Sequence, residues 1–87
     1  MTTELDIVQA RALVANALGL APENVSIEDR LHRLNNWDSL GQVGIVLAIE
    51  ELLGLEIIDE STFVSLTSVR GIAEHLHSVR SSDENKG

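Results

Sequence analysis

This 87-residue chain has no cysteine, no tyrosine, and one residue each of proline, tryptophan and phenylalanine. Without cysteine it can form neither a disulfide nor a thiolate metal site, and any thiol chemistry needs a thiol brought in from outside. With so few aromatics, the core must be built from Leu, Ile, Val and Ala, which suit helices packed through aliphatic ridges. Basic residues are also few: six Lys and Arg stand against fourteen Asp and Glu, a formal net charge of −8. That excludes nucleic-acid binding through clustered cations. It fits a soluble monomer, with the charge either meeting basic partner surfaces or serving solubility alone. Long hydrophobic runs are missing: the stretch around Leu52 to Leu55 is far too short to span a bilayer, so no membrane association is expected. Residues 2–6 are polar and acidic rather than basic and then apolar, so no signal peptide is read and a cytoplasmic location is expected.

The length allows one compact domain with a modest core. Thr3 with Asp6 three residues later forms a capping-box pattern, and Ile7, Ala10, Val14, Ala17 and Leu18 then fall on one helical face. Gly19 is placed as a C-cap, and Pro22 lies beyond the helix. Residues 20–38 read as a long connection held down by Val25, Ile27, Leu31 and Leu34, with a short helical turn expected near Ile27 to Leu31. A second helix begins at Asp38 or Ser39, with Asp38 as N-cap, and ends at Gly54. It is apolar on two sides. Ile45, Ile49, Leu52 and Leu53 suit the core, while Leu40, Val43 and Leu47, with Gly41, Gly44 and Glu51, form a face with no internal need to be apolar. Ile57 and Ile58 anchor the next crossing, residues 60–65 form a short helical turn, and Thr67 or Ser68 caps a last helix through Val69, Ile72, Ala73 and Leu76. The expected fold is all-α: a four-helix bundle of three longer helices and one short one, over residues 1–80, with a disordered polar tail over 81–87.

The informative tripeptide is Asp38-Ser39-Leu40 at a helix start. Free backbone N–H groups and the helix dipole favour an anion there, so a phosphate ester on Ser39 is well placed. Taken alone the tripeptide also reads as an ordinary helix cap. Its surroundings are Leu18-Gly19-Leu20, Val25, Leu31, Trp37-Asp38-Ser39-Leu40, Val43, Ile49-Glu50-Glu51, Gly54 and Ile57. With these the chain resembles the acyl carrier protein family over about residues 5 to 78. The resemblance implies that Ser39 is esterified by 4'-phosphopantetheine taken from coenzyme A, with Asp38 and Leu40 beside it. It implies that the protein is a substrate and carrier rather than an enzyme. A phosphopantetheinyl transferase installs the arm, and an acyltransferase, ligase or ketosynthase of the pathway handles the acyl group held there as a thioester. It further implies that partners grip the outer face of the second helix, here Leu40, Val43, Gly44, Leu47 and Glu51, with Glu50, Asp59 and Glu60 nearby.

Two departures matter. The fatty-acid-type pattern has acidic residues two and five positions after the serine, where this chain has Gly41 and Gly44. Glycine inside a helix costs about 1 kcal/mol relative to alanine, and on an exposed face such a break in local rules marks a functional surface. This points to a dedicated pathway such as polyketide or other secondary-metabolite assembly, with D-alanyl, aminoacyl or peptidyl carriers as the alternative. Trp37 replaces a small residue and is expected to pack over the loop in preference to touching the arm. A rival from another class is an unmodified acidic helical adaptor. His32, His75 and His77 do not have the spacing of a metal site, and Asp59-Glu60-Ser61 lacks that of a calcium loop.

Overall fold

A computed structural model describes residues 3–57 and 59–86, with side chains described through Arg80. The described residues fold as helices α1 (Glu4–Leu18), α2 (Ser39–Leu53), α3 (Glu60–Ser65) and α4 (Val69–Lys86), with a single 3-10 turn at Pro22–Asn24. Among the described residues the only β pairing is an isolated antiparallel bridge between Arg30 and Ser68. The architecture is therefore the all-α bundle of three longer helices and one short one.

Local chemistry sets each end. The Thr3 hydroxyl accepts from the Asp6 N–H at 3.2 Å, and the Thr3 N–H donates to the Asp6 carboxylate at 2.9 Å, which closes the capping box. Gly19 and Gly54 end α1 and α2 at φ +72° and +67°, in the left-handed region that glycine enters without strain. Asp59 starts α3 by accepting from the Thr62 N–H and from the Ser61 and Thr62 hydroxyls. That use accounts for the Asp59-Glu60-Ser61 stretch. Ser68 rather than Thr67 caps α4, its hydroxyl accepting from the Gly71 N–H.

The core is aliphatic apart from Trp37. It joins Ala10, Val14 and Leu18 of α1, Ile45 and Ile49 of α2, Leu66, and Val69, Ile72, Ala73 and Leu76 of α4. Ile7 and Ala17 pack against it partly buried. Full burial of such a side chain contributes about 1.5–3 kcal/mol. At the far end of the α1–α4 contact lies a polar cluster that the sequence did not announce. Asp6 is fully buried, its Oδ2 lies 3.0 Å from His77 Nδ1, and its Oδ1 faces the Arg80 guanidinium. Burial pushes the Asp6 carboxyl up, but hydrogen bonds from Thr3 and His77 and the Arg80 charge outweigh it and hold it below its ordinary value.

Three expectations need correction. The helical turn of the long connection lies at Pro22–Asn24, not at 27–31, where the backbone instead makes turns and the bridge to Ser68. Proline's fixed φ suits the first turn of a helix, and the bridge draws residue 30 into an extended form. Leu52 is 55% exposed, because the core side of α2 is formed by Gln42, Ile45, Val46 and Ile49. Gly41 is not on the open face: a Cβ there would lie 2.2 Å from the Asn36 carbonyl oxygen. Ile57 packs on the core as expected, whereas Ile58 lies outside the described residues.

Candidate functional site

The site is the start of α2 and the loop that delivers it. That loop is tied down along its length. Arg11 Nε donates to the Val25 carbonyl at 2.6 Å, and Asn36 Nδ2 donates to the Leu18 carbonyl at 3.1 Å. Within the loop the His32 N–H donates to the Trp37 carbonyl at 2.7 Å, and His32 and Asn36 both sit at positive φ. Two non-glycine residues in the left-handed region within five positions store backbone strain. The bonds from Asn36 and His32 hold that geometry.

Trp37 is 1% exposed, and its indole N–H donates to Gln42 Oε1 at 2.6 Å. The Gln42 amide in turn donates to the Leu66 carbonyl at 3.1 Å. This chain runs from the loop through α2 to the end of α3 and fixes where α2 begins. Trp37 is thus a packing residue, as expected. Gln42 was missed; its only signal was a polar residue five positions after a tryptophan on the core side of an apolar helix.

From this base α2 opens into solvent. Asp38 caps it, its Oδ1 accepting from the Gly41 N–H at 2.8 Å. Ser39, the first helical residue, is exposed. The N–H groups of Ser39 and Leu40, in the first turn, have no acceptor among the described residues. An exposed hydroxyl beside free amide donors at the positive end of a helix dipole suits a phosphodiester on the Ser39 oxygen. The residues present therefore fit a phosphate-linked arm.

Along the outer side of α2, Leu40 is 80%, Val43 49% and Leu47 58% exposed. Glu51 is exposed at the end of this row, and Gly44 lies within it. Leu5 and Val8 of α1 are exposed as well, but scattered apolar residues are ordinary on a protein surface; those of α2 form one contiguous stripe. Glu50 is not part of that stripe, since its carboxylate accepts from the Ile57 N–H at 2.8 Å and holds the chain after α2. Asp59 is engaged at the start of α3, which leaves Glu51, Glu56 and Glu60 as the free carboxylates of this region.

Sequence comparison gives the family. Residues 9–76 match the phosphopantetheine attachment site family. An acyl carrier protein of Campylobacter hominis is 31% identical over 71 residues, 82% of this chain and 89% of that relative. One of Thermosynechococcus vestitus is 40% identical over 52 residues, 60% of this chain and 64% of the relative. The chain belongs to the acyl carrier protein family, whose members carry a covalent 4'-phosphopantetheine group and are carriers rather than enzymes.

Proposed function

We propose that Ser39 is the residue that carries the 4'-phosphopantetheine arm, flanked by Asp38 and Leu40. The observation that carries this reading is the exposed hydroxyl at the first position of α2, beside two backbone N–H groups without acceptors. When attached, the arm supplies the thiol on which an acyl group is held as a thioester. The chain's own contribution is to anchor and present. The Trp37–Gln42–Leu66 chain fixes the helix start, and Asp38 orders the first turn. The stripe Leu40, Val43, Gly44, Leu47 and Glu51 is the surface that a phosphopantetheinyl transferase and then an acyltransferase, ligase or ketosynthase would grip.

The carrier unit is residues 1–80: Leu76 is the last core residue, and Arg80 still reaches Asp6. We assign the carrier, as a cytoplasmic monomer, to a dedicated polyketide or other secondary-metabolite pathway; what supports the pathway is Gly44, which stands on the open face where fatty-acid carriers have an acidic residue, since crowding at Asn36 accounts for Gly41. Aminoacyl, D-alanyl or peptidyl cargo is the alternative, and an unmodified adaptor the more remote one. Loading assays with malonyl, fatty acyl and amino acid ligases discriminate among the cargoes. If the chain replaces a housekeeping carrier in a fatty acid synthase at equal rate, the dedicated-pathway reading fails.

A further inference from the structure

Ser39 stands at the apex of a closed knuckle, in which each of the three residues before it is bound to a residue one turn ahead. The Asn36 carbonyl lies against Gly41, where it and the Leu18 side chain occupy the space of a Cβ. The Trp37 indole N–H donates to Gln42 Oε1 at 2.6 Å. Asp38 accepts twice, its Oδ1 from the Gly41 N–H at 2.8 Å and its carbonyl from the Gln42 N–H at 2.8 Å. Ser39 and Leu40, between these ties, are exposed.

Gln42 fastens this knuckle to the body of the protein. It is 3% exposed, on the core side of α2, and its Nε2 donates to the Leu66 carbonyl at 3.1 Å. That carbonyl belongs to a fixed segment. Leu66 is fully buried, the Thr67 carbonyl accepts from the Leu31 N–H at 2.8 Å, and the Ser65 carbonyl lies against Gly71, where no Cβ would fit. Three successive carbonyls after α3 are thus held by α4, by α2 and by the loop before α2. A buried amide is a costly way to fill a position that an apolar side chain fills more cheaply. What it adds is direction. Apolar contacts tolerate rotation, whereas a hydrogen bond weakens steeply as its angle departs from linear. Two such bonds on one planar amide fix the Trp37 ring against the first turn, and with it the direction in which the Ser39 hydroxyl leaves α2.

Resting on the carrier reading, we propose that Gln42 is a positioning residue for the transfer of the arm to Ser39. In that step Ser39 Oγ forms a bond to the phosphorus that bears the pantetheine. The bond from that phosphorus to the adenosine bisphosphate half of coenzyme A breaks, and the hydroxyl proton passes to a base of the transferase. Gln42 touches none of these atoms. It holds the nucleophile on the line of attack, so that little reorganisation remains once the transferase has docked. Its effect therefore falls on kcat, while KM, which docking on the outer face sets, stays nearly unchanged.

The test measures kcat and KM of the full apo chain as substrate for a promiscuous phosphopantetheinyl transferase with coenzyme A, followed by intact mass. A wild type that gains no arm sinks the carrier reading and this inference with it; failure of the inference alone requires a wild type that loads. Gln42→Met keeps the length of the side chain and removes both bonds, and Trp37→Phe keeps a ring and removes the indole donor. Each is expected to lower kcat about tenfold and to leave KM within about twofold of wild type. The double variant should lose about what either single variant loses, because the two residues act as one clamp. Trp37 is the chain's only tryptophan, so its indole N–H gives one resolved NMR signal. Hydrogen exchange there should quicken about tenfold or more in apo Gln42→Met, a readout that does not need the arm. Asp6→Asn, at the other end of the bundle, is the stability control: it should lower the melting temperature and leave kcat unchanged. A Gln42→Met with wild-type kcat, or with its loss wholly in KM, overturns the proposal. So does an equal kcat loss in Asp6→Asn, which would trace the effect to stability alone. Where Gln42→Met does not fold, Trp37→Phe decides by the same criteria.

Discussion

Where α4 meets α1, the molecule is closed. The contact face of α4, Val69, Ile72, Ala73 and Leu76, is buried, and even the polar group at its end, Asp6, is matched by Thr3, His77 and Arg80. Along the outer flank of α2 the molecule is open, with leucines and a valine standing in water around a glycine. Both regions draw on the same few aliphatic residue types. The difference is whether the partner surface belongs to the chain. The closed region is complete in itself, and its alteration acts on stability. The open region is half of a contact, and its alteration acts on transactions with other proteins.

The largest effect expected from this contrast comes from one helix. Ile49→Ala, in the core, should lower unfolding free energy by about 2–5 kcal/mol, whereas Leu47→Ala, two residues away on the open flank, should change it by less than about 0.5 kcal/mol. Chemical denaturation of the two variants makes the comparison directly. Next comes the polar end of the closed region. Asp6→Asn removes a charge that caps α1 and faces His77 and Arg80, and should destabilise by about 1–3 kcal/mol. A loss no larger than that of a surface substitution would mean that the cluster contributes no stability.

A smaller effect separates the two glycines. Gly44→Ala should stabilise by about 1 kcal/mol through helix propensity. Gly41→Ala should destabilise by about 1–3 kcal/mol as Asn36 and Leu18 are pushed aside. Thermal melts of opposite sign confirm the distinction, and equal melts erase it. The smallest effect is the pH slope. Asp6, and Asp59 through its bonds from Ser61 and Thr62, titrate below their ordinary values. Their stabilisation is present above the usual carboxylate range and is lost as pH falls through the lowered folded-state values. Burial lowers the His75 value, so the folded state resists its protonation, and stability also falls as pH drops through the ordinary histidine range. The stability these three groups contribute should therefore decrease on acidification from neutral pH, and His75→Gln should flatten the part nearest neutrality.

The helix boundaries were legible because they rest on local signals: Thr3 with Asp6, Gly19, Asp38, Gly54 and Ser68 each act within a few residues. The core of α4 was legible from its period for the same reason. The cluster at Asp6 was not, since His77 and Arg80 lie more than 70 positions away and nothing in the neighbourhood of either marks the pairing. Gln42 was hidden because a polar residue on a core face is explained only by what it reaches, here Trp37 and Leu66. Period alone misplaced Leu52, which falls between the buried and exposed sides of α2. The two glycines looked alike because crowding is a property of the loop at Asn36, not of the helix sequence. At the site itself, the exposed serine and its cap were legible, while the use of Glu50 to hold Ile57 was not, since it joins a helix end to the chain beyond it.

Every role given to the open flank of α2 depends on Ser39 being the arm-bearing residue of an otherwise intact carrier. Intact mass of wild type and Ser39→Ala, each incubated with coenzyme A and a promiscuous phosphopantetheinyl transferase, tests it most directly. The wild type should gain one phosphopantetheine and the variant none, with both showing the same helical circular dichroism. A folded wild type that gains nothing, or a Ser39→Ala protein that gains the same mass, would contradict it.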